Sequence, residues 1–163
     1  MGLAKIPSNI EKIKRSEHLI FVDTTPNSTR NYVVVGIGTT EGTTEYNPDV
    51  EREKWIIEDN ARTVNNGMDK QLSLDKQCYK NDPEFAYLDT GRDKLELPTH
   101  ILEVDTWNAT GNGYVAKESD GKIVINSYNG ATISYTLYFD GDVVDGTCTI
   151  ADGVPTFQAT VSL

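Results

Sequence analysis

The chain has 163 residues, 37% of them hydrophobic and 25% charged, which suits one soluble core and excludes a disordered or fibrous polymer. Fifteen basic residues face 25 acidic ones, a net charge of −10 that excludes a surface built to grip nucleic-acid phosphates. The imbalance is uneven. Residues 96–163 carry nine acids against only Lys117 and Lys122, whereas the start of the chain sets Lys5, Lys12, Lys14 and Arg15 against Glu11.

Residues 1–17 therefore read as a basic N-terminal arm ahead of an acidic body. The start has no apolar signal core, and no apolar run approaches the roughly 20 residues that span a bilayer, so the expectation is a protein made in the cytoplasm without a membrane anchor. From His18 to Gly38, two runs rich in Val, Ile, Phe and Tyr flank the turn formers TTPNST, which predicts strand, loop and strand. GIGTTEG (36–42) has the wrong glycine spacing for a dinucleotide loop and no helix after it, so it reads as a turn.

The stretch EYNPDVEREKWIIEDNAR (45–62) surrounds Trp55, Ile56 and Ile57 with charges of both signs. Val50, Ile57, Ala61 and Val64 match a helical stripe, while Pro48 disfavours helix at Asn47 and the following Leu72 and Leu74 alternate as in a strand. Charged strands are the favoured reading of 50–64, and helix is the alternative. Asn65-Asn66-Gly67 signals a turn or bulge. In KNDPEFAYLDTGRDKLEL, Asp82 as N-cap, Pro83 at the first helical position and Phe85, Leu88, Arg92 and Leu95 at helical spacing predict one helix over 82–95, weakened at Gly91. Residues 100–161 read as a β-meander, with the Asp-Gly pairs at 120–121, 140–141 and 152–153 as its hairpin turns. Within it, Ile133, Tyr135, Leu137 and Phe139 alternate with polar neighbours.

No constellation of catalytic chemistry emerges. His18 and His100 lack metal-ligand spacing, and Cys78 and Cys148 lie 70 residues apart without a disulfide or zinc pattern. DGDVVDG (140–146) departs from a calcium loop at Val144, Asp145 and Ala151, and reads as a hairpin with solvated acids. Glu51 with Glu53, and Glu103 with Asp105, alternate along strands as a solvated face rather than as an acid–base pair. The expectation is no catalytic residue, no cofactor and no metal. Trp55 and Trp107 would also suit a carbohydrate-binding or adhesin-like β-sandwich module. Charges of both signs around an apolar patch fit an interface between copies, where burial supplies affinity and paired signs set register.

The segment order TTEYNPDVEREKWIIEDNA, LSLDKQCYKNDPEFAYL and a closing meander ending DGTCTIADGVPTF resembles the tail tube proteins, or major tail proteins, of long-tailed bacteriophages, over roughly residues 5–160. The resemblance implies a single mainly β domain: a β-sandwich or barrel-like core with one flanking α-helix and a long extended hairpin or loop. That loop maps onto 47–80 and bridges subunits through Pro48, Val50, Trp55, Ile57, Arg62, Lys70, Lys76 and Lys80, with the four basic residues pairing with a neighbour's acids. It further implies a homo-hexamer that stacks into a non-contractile tail tube of the virion. The partners implied are a tape measure protein inside and tail terminator and baseplate or tip proteins at the ends. DNA passes through without specific binding.

Overall fold

In a computed structural model of the chain, residues 4–160 are described. Of the expected elements, arm residues 1–3 and meander residue 161 lie outside them. Residues 4–14 form no regular strand or helix, and the arm ends in a single 3-10 turn at Arg15–Glu17.

In chain order the strands are β1 (His18–Asp23), β2 (Tyr32–Val35), β3 (Thr44–Glu45), β4 (Pro48–Glu53), β5 (Arg62–Met68) and β6 (Gln71–Gln77). After helix α1 (Pro83–Asp89) come β7 (Leu97–Thr110), β8 (Gly113–Tyr128), β9 (Thr132–Ala151) and β10 (Val154–Ala159). One antiparallel sheet runs in the order β2-β1-β7-β8-β9-β6-β3, with β10 paired to β9. Strands β4 and β5 form a separate two-stranded sheet, so residues 50–64 lie in a β-hairpin and not in a helix.

This sheet buries opposite faces at its two ends. Ile123, Tyr135 and Leu137 join Ile20, Val22, Leu72, Leu74, Ile101 and, from α1, Leu88 in one core. Ala116 and Cys148, farther along the same strands, join Phe21, Leu102 and Val104 in a second core. Because successive side chains point to opposite faces, the odd positions of β8 and β9 serve the first core and the even positions serve the second. Strands β1 and β7 contribute to both, which is why ILEV (101–104) is apolar or buried at every position rather than at alternate ones. The outcome is the mainly β, sandwich-like architecture with a single helix that the sequence predicts.

Two of the three Asp-Gly pairs do not turn the chain. Asp152-Gly153 makes the β9–β10 hairpin with φ of 52° and 78°, as expected. Asp120-Gly121 and Asp140-Gly141 instead lie within β8 and β9, at a register shift between Glu118 and Asp120. There the positive φ of Gly141, 66°, serves a bulge that bends the ladder where the buried face changes over. The hairpin expected at Asp140–Gly146 is consequently part of the 20-residue strand β9. The actual reversals fall at Gly111-Asn112 and Asn129-Gly130, where the Asn129 side chain accepts hydrogen bonds from the amides of Ala131 and Thr132.

The helix is shorter than the expected 82–95. Asp82 does cap it, accepting from the Glu84 amide at 3.1 Å. It ends at Asp89, with Leu97 packed into the space a Cβ on Gly91 would fill and Leu95 left in solvent. A tighter approach occurs at Gly146, where an added Cβ would strike the Gln158 carbonyl oxygen and the Phe157 ring of β10. Gly146→Ala is therefore expected to cost about 2 kcal/mol, seen as a lower urea midpoint at unchanged m-value.

Candidate assembly surface

Hairpin β4–β5 leaves the sheet after Glu45 and rejoins it at Lys70. Its base is fixed by the Asp69 amide donating to the Tyr46 carbonyl at 3.0 Å and by the Asn47 side-chain amide donating to the Asp69 carbonyl at 3.0 Å. Pro48 opens β4, a position where a missing N–H is tolerated. Near the base the ladder shifts register, and Gly67 takes a φ of 140° with its amide bound to the Asn65 side chain, so the Asn-Asn-Gly signal is a bulge. Every residue of β4 is exposed, and in β5 only Val64 is half-buried.

The tip is ordered by its own contacts. The Glu58 amide donates to the Trp55 carbonyl at 2.9 Å, while the Glu58 carboxylate accepts from the Trp55 amide at 3.0 Å and pairs with Arg62. The Arg62 guanidinium in turn covers the Trp55 ring at 3.9 Å from its centre. This turn presents Trp55, Ile56 and Ile57 at 55%, 103% and 86% exposure. Val50, Tyr46 and Met68 extend the exposed apolar surface towards the base. A two-stranded hairpin has little independent stability in water, and three large apolar side chains exposed at the tip of this one make it the candidate assembly surface.

Of the expected interface residues, Pro48, Val50, Trp55, Ile57 and Arg62 lie together on this hairpin, and Ile56, the most exposed of all, joins them. Lys80 is exposed ahead of α1. Lys70 and Lys76 do not reach a neighbour. Lys70 is buried 2.6 Å from Glu103 and over the Phe139 ring, and Lys76, at 0% exposure, lies 2.5 Å from Asp82 and 3.2 Å from Glu84. Lys76 shares a strand face with Leu72 and Leu74, so the alternation that buries those leucines also turns the lysine inward. It also donates to the Ile37 carbonyl, and the Tyr135 hydroxyl donates to Glu84.

The same kind of correction applies to Glu103 and Asp105. Neither belongs to a solvated face: Glu103 is buried against Lys70, and Asp105 lies 2.6 Å from His18 Nδ1. His100 is flanked in the same way, with Nδ1 2.9 Å from Asp23 and Nε2 3.3 Å from Asp120. Burial opposes ionisation of Asp23, but hydrogen bonds from the Asn31 amide, His100 and the Thr25 amide outweigh it and lower its pKa. Cys78 and Cys148 are free thiols. Among the described residues no group of three His, Cys, Asp or Glu is arranged to hold a metal ion, and no helix is long and apolar enough to cross a membrane.

No family model matches the chain, and no curated protein matches it. Among solved structures, a chain in the cryo-EM structure of the anti-feeding prophage baseplate, 6-fold symmetrised, is similar at 10% identity over 87% of this chain and 97% of that one, with a TM-score of 0.45. A likeness at that level fixes neither fold nor role.

The lysine cluster holds two buried carboxylates against one ammonium. Although Lys76 lies within ion-pair distance of both, Asp82 Oδ2 and Glu84 Oε2 gain no well-directed hydrogen bond. Burial raises the pKa of Glu84 against the opposing pull of the Tyr135 hydroxyl and Lys76. A carboxyl that binds its proton more tightly when folded contributes stability that is full below its unfolded pKa and lost as pH rises through the folded one. Glu84→Gln is therefore expected to flatten the decline in stability above the ordinary carboxyl range, read as urea midpoints across pH. Lys76→Met strands both carboxylates and should cost about 3–5 kcal/mol at neutral pH.

Proposed function

We propose that this chain is a structural subunit of a phage-type tail: a tail tube protein that closes into hexameric rings and stacks them into a hollow conduit for DNA. The observation that carries the reading is the β4–β5 hairpin, an element that leaves its own sheet and holds Trp55, Ile56 and Ile57 in water. Burying such side chains between copies contributes about 1.5–3 kcal/mol each, while the flanking acids and bases fix the register. The sequence resemblance over residues 5–160 and the mainly β fold with one helix support the same reading.

Mechanism in such a subunit is passive. With a net charge of −10, a wall built from these chains repels phosphate over about 8 Å at physiological salt, so DNA slides without adhering. A contact that joins one patch to a different patch closes a ring or grows a filament, and the tube uses both. The partners are a tape measure protein in the lumen and terminator and baseplate or tip proteins at the ends. The tail is non-contractile, and the subunit has no turnover.

Exposure of both Trp55 and Trp107 favours a second reading, a carbohydrate-binding module whose rings stack on sugars. Electron microscopy of concentrated protein separates the two: sixfold rings or tubes support the first, and a persistent monomer that binds glycans supports the second. The double change Trp55→Asp with Ile57→Asp is expected to leave a folded, soluble monomer that no longer polymerises. Unimpaired polymerisation would remove the hairpin from the interface.

A further inference from the structure

The curled sheet fails to close between its ends. A groove of about 550 Å3 opens between β1 and β2 on one side and β6 on the other, floored by Leu19, Val34, Val35, Ile37, Leu72 and Leu74. Thr40 and Glu41 carry it into a polar recess of about 370 Å3 where Glu41, Glu45 and Asp75 gather. None of these three acids is in an ion pair among the described residues. The seam is thus apolar at its centre and acidic at one end.

The arm is complementary in both respects. Ile6, Ile10 and Ile13 are all exposed, at 80%, 65% and 51%. Lys5, Lys12 and Lys14 accompany them, also outside any ion pair among the described residues. The arm leaves its own chain at Arg15 and Ser16, which form part of the groove wall, and its isoleucines stay outside. We propose that residues 4–14 of a second copy occupy this groove, with the three isoleucines against the apolar floor and the lysines towards Glu41, Glu45 and Asp75.

Every copy then carries one arm and one groove, and an arm that enters a neighbour's groove propagates the contact from copy to copy. The inference rests on the self-association proposed above but uses a surface separate from the hairpin. An arm that orders only on docking accounts for the lack of regular structure over residues 4–14.

A fluorescent peptide of residues 4–15 is titrated into full-length protein bearing Ile6→Ser, Ile10→Ser and Ile13→Ser, whose groove is intact. Saturable binding is expected, weakened about tenfold or more by Ile37→Glu, an exposed groove position whose change leaves the core alone, and by the same three serines in the peptide. No binding, or binding indifferent to Ile37→Glu, overturns the proposal. So does a wild-type chain that stays monomeric while its arm blocks the peptide, because the groove is then filled by its own arm. The two readings fail separately. Tubes that form normally from the arm variant remove the arm contact and leave the tail reading standing. Specific peptide binding without rings does the reverse.

Discussion

Strand β9 is the element on which the remaining structure depends. It is paired with β8 from Ile133 through to Cys148, while its other edge is taken by β6 in the first half and by β10 in the second. A strand of 20 residues cannot stay straight and also wall two cores on opposite faces, so the ladder breaks register near Asp140 and bends there. The acids Asp140, Asp142 and Asp145 fall in or beside that break, where neither core needs an apolar side chain.

What the sheet does not cover defines the surfaces available for assembly. The hairpin lies off the sheet altogether, and the seam between β2 and β6 is left open. These are different solutions to unsatisfied edges and apolar surface, and neither is resolved within one copy. Inside the fold, by contrast, charges are settled locally. Lys70, Lys76, His18 and His100 each face a carboxylate of their own chain. The buried charges are thus paired within the chain, while the hairpin tip and the arm hold large apolar side chains in water.

Much of this is legible in the sequence, and the failures have physical causes. Alternation in TISYTLYF marks Ile133, Tyr135 and Leu137 as core, and Asp82-Pro83 marks the start of α1. The Asp-Gly pairs mislead because a positive φ serves a bulge as well as a turn, and only the partner strand decides which. The helix end is invisible because Arg92 and Leu95 continue the helical spacing of Phe85 and Leu88, although Leu95 meets no core. Lys70, Lys76, Glu103 and Asp105 pass for surface charge because composition treats ionisable residues as solvated. Only tertiary pairing buries them, although the position of Lys76 in phase with Leu72 and Leu74 is a signal of it. Hairpin tip residues Trp55 and Ile57 stand out because they are large apolar side chains set in a run of charged neighbours.

The Lys76, Asp82 and Glu84 cluster has a consequence for how such a chain can diverge. The lysine faces both carboxylates, so its neutral replacement strands two buried acids, whereas neutralising Glu84 leaves Asp82 paired with Lys76 alone. Loss of the lysine is accepted only in concert with loss of both acids, with an apolar trio as one alternative end state. Among related chains these positions should therefore covary as a unit, tying the sixth strand to the start of the helix in evolutionary history as tightly as they are tied in space.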